Sequence, residues 1–303
     1  MQRTLSKLND MLTGKKLVFV FYTISICFFY WFCRKAGFVS DYIDFEQNYN
    51  KCGFIHYSDC AGLKNMRYLQ HAFSYSLFKT VGSDHWLWWF LYSGMHAVAG
   101  YLGYRVLVEL FGKFEIKNAH LIAFLSAWLF LTSPYQTEVV VWRVCIQYIT
   151  VQICLFASVL LLLEQETKQS YYHVFFNWIL FLTALFSIEQ AVSIPIVLIA
   201  VFIFLKIGNK TTLKTTTLIL FVLPAFLSIA GFFVLSKIIN GQWITHYGTT
   251  AFEHFVSIKT GARYYEYFLK NIFFLRQLDY NQQEKLYNFL QETYVFVIIV
   301  LLF

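Results

Sequence analysis

The first long apolar stretch of the chain covers residues 17–33. It reads Leu-Val-Phe-Val-Phe-Tyr-Thr-Ile-Ser-Ile-Cys-Phe-Phe-Tyr-Trp-Phe-Cys and contains no charged residue. A helix needs about 20 mostly apolar residues to cross a hydrocarbon core about 30 Å thick. Arg34 and Lys35 follow directly, and the stretch lacks a small-residue cleavage site. It therefore predicts a retained membrane span rather than a signal peptide.

The composition of the whole chain is that of a membrane protein. Of its 303 residues, 58% are hydrophobic, 21% are aromatic and only 14% are charged, whereas soluble domains are about 25% charged. The net charge of +7 needs no nucleic-acid partner, because lysines at the cytoplasmic ends of membrane helices account for much of it. We therefore expect an all-α polytopic membrane protein in contact with lipid.

Further apolar stretches predict more spans along the chain. They cover residues 86–111, 119–134, 144–163, 173–187, 191–205 and 216–235. A last apolar run, residues 294–303, is too short to cross the membrane. We expect one transmembrane domain over residues 1–303, with about seven complete spans and an eighth that is cut at residue 303.

The basic residues of the short connections predict the orientation of the chain. On the side of the N-terminus these connections carry Lys113, Lys117, Lys168, Lys206, Lys210 and Lys214. On the opposite side they carry only Arg143. We expect a cell-membrane protein with a cytoplasmic N-terminus and two long outer loops, at about residues 34–85 and 238–292.

Both outer loops have the pattern of segments that lie in the membrane interface. Met66, Leu69, Phe73 and Leu77 recur at helical spacing, which predicts an amphipathic helix within residues 64–81. Residues 252–289 interleave aromatic and basic side chains, a composition typical of the aromatic belt at a membrane surface.

Two of the six cysteines fall in the polar part of the first outer loop. Cys52, His56 and Cys60 are spaced four residues apart, so a helix there would place all three on one face as metal ligands. A disulfide on an oxidising side of the membrane is another interpretation, and free thiols are a third. The spacing alone leaves the three open, and we assign no metal site.

Acidic residues cluster directly after the first apolar stretch. Residues 38–48, Phe-Val-Ser-Asp-Tyr-Ile-Asp-Phe-Glu-Gln-Asn, contain Asp41, Asp44 and Glu46. Alternation of the spans places them on the outer face, together with Glu138, Arg143 and Glu189. Charged residues at membrane depth often mark function, but the same residues also occur as helix-end groups held by lipid headgroups or ion pairs, with Glu138–Arg143 as one such pair.

Three segments resemble motifs of polytopic glycosyltransferases of the GT-C class. Arg67-Tyr-Leu, followed by an amphipathic helix and by the stretch that ends at His96, resembles their Arg-Pro-Leu and Asn-x-x-x-His steps. The segment Thr132-Ser-Pro-Tyr-Gln-Thr-Glu-Val-Val-Val-Trp-Arg143 resembles their His-Pro-x-x-x-Glu-x-Val-x-Trp segment. The segment Leu185-Phe-Ser-Ile-Glu-Gln-Ala-Val-Ser-Ile-Pro195 resembles their Leu-Leu-Ser-Lys-Glu-x-x-x-x-x-Pro segment.

The family named by this resemblance is that of protein O-mannosyltransferases with tetratricopeptide tails and their bacterial relatives. The similar part of this chain is about residues 35–206, and it carries no tetratricopeptide tail. The chain also differs from the motifs at Tyr68, Tyr92, Ser133 and Ile188, where the family has Pro, Asn, His and Lys. These differences keep open a different acceptor or an inactive member.

The resemblance implies a GT-C-like bundle that transfers a sugar from a polyprenyl phosphate to a glycan, lipid or protein acceptor outside the cytoplasm. Asp44 or Asp41 would be the general base, and Arg143 or Arg67 would hold the phosphate. Glu138 would orient the arginine or the sugar. His96 is a further candidate for substrate contact, while Glu46 and Glu189 would support the site. A single histidine on an aromatic-rich helix is more commonly a packed interior residue, so this alternative stays open for His96. A divalent cation is left open, because related enzymes differ in using one.

Two other classes of protein share some of these features. A transporter or flippase for lipid-linked sugars also carries outer acids and few charges in its spans. Such transporters typically show internal repeats and broken helices with binding groups near the midplane, and this sequence shows no repeat. A non-catalytic membrane subunit is the third interpretation, because of the differences from the family motifs.

Overall fold

The computed structural model describes residues 9–35, 47–53, 56, 66–82, 84–133, 145–168, 170–241 and 243. All of them lie within one compact unit, Met1–His246. These residues form helices and turns and contain no β-strand. The predicted all-α fold is therefore confirmed in the part of the chain that the structure describes, while the extent of the predicted single domain to residue 303 stays a prediction.

The described residues form a series of principal helices. They are α1 (Lys15–Phe29), α2 (Tyr68–Val81), α3 (His85–Lys113), α4 (Ala119–Thr132), α5 (Ile146–Lys168), α6 (Tyr171–Leu185), α7 (Ser193–Ile207) and α8 (Thr215–Asn240). Short 3-10 helices occupy Trp31–Lys35 and Glu189–Val192. Each stretch predicted as a complete span coincides with α1 or with one of α3 to α8, and the predicted interfacial helix coincides with α2.

Three helical segments are long and apolar enough to cross a membrane. They are Ile146–Glu166, Glu189–Ile207 and Thr215–Asn240. The helices α4 and α6 are apolar but shorter. The helix α3 has 29 residues, but its many aromatic, histidine and charged side chains lower its hydropathy. The expected seven complete spans are therefore not established by this structure, and the count stays a prediction.

Two apolar clusters hold the helices together. One is built mainly from α1, α3 and α4, and the other mainly from α5, α6, α7 and α8. The helix α3 packs against α1, α4 and α5, so it lies between the two clusters. At Gly100 of α3 the neighbouring helix comes so close that a Cβ atom would lie 2.5 Å from Leu131 of α4.

Polar contacts close one end of the bundle, which we call the Glu166 end. The Glu166 carboxylate pairs with Lys113 Nζ and accepts hydrogen bonds from the Thr212 backbone N–H at 2.6 Å and from its hydroxyl at 3.0 Å. Lys210 Nζ lies 3.1 Å from Glu115 Oε1. These bonds join the last turns of α3 and α5 to the connection between α7 and α8.

Of the three interpretations of Cys52, the structure has the disulfide. Cys27 and Cys154 are free thiols, and Cys60 lies outside the described residues. Among the residues that are described, no group of three His, Cys, Asp or Glu side chains is arranged to hold a metal ion.

The close approach at Gly100 gives a stability prediction. Gly100→Ala forces a methyl group against Leu131, which is fully buried. We expect a loss of about 1–3 kcal/mol in the free energy of unfolding, because overpacking outweighs the better helix propensity of alanine. Thermal unfolding in detergent, followed by reaction of the buried cysteines with a thiol dye, measures the loss.

Gly94 of the same helix provides the matched control. A Cβ atom at Gly94 would meet nothing within 4 Å. Gly94→Ala is therefore expected to leave the free energy of unfolding unchanged or to increase it by up to about 1 kcal/mol. Its melting temperature should not fall below that of the wild type. Equal melting temperatures for the two variants would contradict the close packing of α3 against α4.

Candidate functional site at the Arg67 end

At the end of the bundle opposite the Glu166 end, the start of α2 lies beside the turn that follows α6. The backbone N–H of Leu69 donates to the Phe186 carbonyl at 3.2 Å. The first N–H groups of a helix have no carbonyl partner within that helix, so this bond satisfies one of them. It also fixes the position of Arg67, the residue directly before α2, beside the 3-10 helix that begins at Glu189. We call this end of the bundle the Arg67 end.

An ion pair joins Arg67 to Glu189 at this end. Arg67 Nε lies 3.2 Å from Glu189 Oε1 and 3.0 Å from Oε2, and Nη2 lies 2.7 Å from Oε2. The two side chains are 16% and 22% exposed. One edge of the guanidinium therefore faces both carboxylate oxygens, the two-point geometry that arginine forms with carboxylates and phosphates.

His71 lies one helical turn after Arg67, and only 2% of it is exposed. Its Nδ1 is 3.3 Å from the Tyr49 hydroxyl, whose ring packs edge-on against Tyr75. Burial, and secondly the Arg67 cation, lower the pKa of His71 to about 3, although the Glu189 carboxylate opposes the shift. His71 is therefore neutral at physiological pH, and its contact with Tyr49 holds residues 47–53 against α2.

His96, a sequence candidate for substrate contact, is fully buried in α3. Its Nε2 lies 3.1 Å from the Leu131 carbonyl, which also accepts a hydrogen bond from the Tyr30 hydroxyl at 3.1 Å. Because a carbonyl only accepts, Nε2 carries the proton. Leu131 is in the last turn of α4, where helix carbonyls lack partners within the helix. In this structure His96 therefore stabilises the end of α4.

The structure brings together two residues of the predicted site, Arg67 and Glu189. The other charged candidates lie outside the described residues: Asp41, Asp44, Glu46, Glu138 and Arg143. The contact between Tyr49 and His71 was missed from the sequence. No local pattern points to it, because the two residues are 22 positions apart and meet only when residues 47–53 fold onto α2.

Comparisons with family models, with curated proteins and with solved structures find no significant match to this chain. The resemblance to GT-C glycosyltransferases is therefore carried by the three sequence segments alone. Arg67 and Glu189 belong to two of these segments.

The Arg67–Glu189 pair is expected to couple the two residues energetically. In a double-mutant cycle of Arg67→Gln and Glu189→Gln, we expect a coupling of about 1–3 kcal/mol in the free energy of unfolding, the range for hydrogen bonds between charged groups. Thermal or denaturant unfolding in detergent measures it. The pair Lys210–Glu115 serves as the control, because Glu115 is 84% exposed and surface pairs contribute little. Equal coupling in both cycles would contradict this prediction.

Burial of neutral His71 predicts a dependence of stability on pH. The pKa of His71 is about 3 in the folded protein, against an ordinary value of 6.5. Below pH 6.5 the unfolded chain therefore binds a proton that the folded chain does not, and stability falls as the pH decreases toward 3. At pH 5 the expected loss is about 2 kcal/mol.

Melting temperatures at pH 7.5 and pH 5 measure this loss. His71→Asn keeps a polar atom near the position of Nδ1 and removes the titrating ring. The decrease in melting temperature between the two pH values should therefore be smaller in this variant than in the wild type. The difference between the two decreases isolates His71 from the other histidines, and equal decreases would contradict the prediction.

Proposed function

We propose that the chain is a membrane glycosyltransferase that moves a sugar from a polyprenyl-phosphate donor to an acceptor hydroxyl on the extracytoplasmic face. The observation that supports this most is the contact between Arg67 and Glu189, which are 122 residues apart. They come from two separate segments that resemble GT-C motifs. Their meeting at one end of a helical bundle is what a shared site of those motifs requires.

The proposed reaction needs a base and a group that stabilises the leaving phosphate. The acceptor oxygen attacks the anomeric carbon, and its proton passes to the carboxylate of Asp44 or Asp41. The bond between the anomeric carbon and the phosphate oxygen breaks, so polyprenyl phosphate leaves with the bonding electrons and the configuration inverts. Arg67 or Arg143 neutralises that phosphate, because the planar guanidinium matches its oxygens. Glu138 is proposed to orient the arginine or the sugar.

A transfer assay tests this function. Membranes from cells that express the chain are supplied with a radiolabelled polyprenyl-phosphate sugar, and the label that leaves the lipid is measured. We expect Asp44→Asn to reduce transfer by about 100-fold or more, the usual contribution of a general base. Arg67→Gln is expected to reduce it as well, because the leaving phosphate loses its cation.

Asp84→Asn is the matched control for the loss of a carboxylate. Asp84 accepts hydrogen bonds from the backbone N–H groups of Trp86 and Leu87 at the start of α3. Asparagine caps helices equally well, so this variant should transfer at the wild-type rate. If Asp44→Asn transfers sugar as fast as Asp84→Asn, Asp44 is not the general base, and the role is assigned to Asp41 or another residue. Label that crosses the membrane while still attached to lipid would instead indicate a transporter.

A further inference from the structure

The carboxylate of Glu189 occupies the edge of Arg67 that suits a phosphate. Nε and Nη2 of Arg67 face both Glu189 oxygens at 2.7–3.2 Å. Arginine offers the same two-point geometry to carboxylates and to phosphates. A phosphate that binds to this edge must therefore displace Glu189, so the two anions compete for one cation.

The local structure allows the Glu189 side chain to move while its backbone stays in place. Ile188, directly before Glu189, and Ala191, two residues after it, are buried, and the Ile188 backbone N–H donates to the Ala184 carbonyl at 2.9 Å. The Ser187 hydroxyl donates to the Thr183 carbonyl at 2.6 Å. The Glu189 side chain, in contrast, is 22% exposed. A change in its side-chain rotamers thus removes the Glu189 carboxylate from this edge of Arg67 without a movement of the backbone.

We propose that Glu189 is a displaceable internal ligand of Arg67, an autoinhibitory carboxylate that the phosphate group of the lipid-linked donor must replace. This inference rests on the proposed function and adds the regulation of its phosphate site. It differs from the role expected from the sequence, in which Glu189 supports the site. In the absence of donor, the carboxylate keeps the guanidinium neutralised.

The change in phosphate affinity when the Glu189 charge is removed has opposite directions for a competing and for a supporting role. If Glu189 competes with phosphate, removing its charge strengthens phosphate binding. If Glu189 only holds Arg67 in position, removing its charge weakens binding. The probe is undecaprenyl phosphate, added to the full chain in lipid nanodiscs, with binding followed by quenching of tryptophan fluorescence.

We expect Glu189→Gln to bind this probe roughly fivefold or more tightly than the wild type. An internal ligand lowers the apparent affinity by the fraction of sites that it leaves open. Arg67→Gln should bind more weakly, and the double variant should bind like Arg67→Gln, because the proposed competition requires that arginine. Glu115→Gln, which removes a carboxylate paired with Lys210 at the Glu166 end, should bind like the wild type.

Weaker or unchanged binding by Glu189→Gln would overturn the inference, and so would the absence of probe binding to every variant. If Glu189→Gln does not fold, Glu189→Asp replaces it. The shorter side chain still carries the charge but reaches Arg67 less well, so its affinity should exceed that of the wild type.

Binding and transfer are measured separately, so the two proposals fail in different ways. Tighter binding by Glu189→Gln in a protein that transfers no sugar would support competition between Glu189 and phosphate and would contradict the proposed glycosyltransferase activity. Transfer combined with weaker binding by Glu189→Gln would retain the enzyme and reject the competition.

Discussion

The geometry of the Arg67 end depends on one ion pair that is mostly removed from water. Taking a guanidinium and a carboxylate out of solvent is unfavourable unless the hydrogen bonds between them are well formed. The three short contacts between Arg67 and Glu189 meet that condition. They require the start of α2 to keep its position beside the turn after α6. The hydrogen bond from the Leu69 N–H to the Phe186 carbonyl holds the two segments in the same position. His71 is consequently enclosed beside a cation.

The positions of the helices could be predicted because uninterrupted apolar stretches are a local property of the sequence. Their ends depend on other effects. Residues 119–134 were predicted as a span, yet α4 ends at Thr132, because the residue before a proline avoids the helical conformation and Ser133 is extended. Residues 144–163 were predicted as a span, yet α5 continues past two charged residues to Lys168. There Glu164 and Glu166 pair with Arg105 and Lys113 of α3, so the charges are neutralised between helices.

The candidate site could be predicted only as a collection of residues. The spacing and alternation of the apolar stretches place Arg67 and Glu189 on one face, but nothing local shows that they touch, because packing of α2 against the α6–α7 turn decides it. The same holds for Tyr49 and His71. For His96 the sequence left substrate contact and a packed interior residue as alternatives. In the structure His96 bonds to the Leu131 carbonyl and stabilises the end of α4. The spacing of residues in the sequence does not predict this contact.

Two glutamates at opposite ends of the bundle show how the same ion-pair chemistry is used differently. Glu166 accepts a hydrogen bond from the Thr212 backbone, so withdrawing its carboxylate would leave a peptide N–H without that partner and would loosen a turn. Glu189 accepts bonds from the Arg67 guanidinium, a donor whose geometry a phosphate also satisfies. Replacing Glu189 by another anion therefore leaves the guanidinium paired. A stable pair whose carboxylate another anion can replace is what the proposed phosphate site requires when no donor is bound.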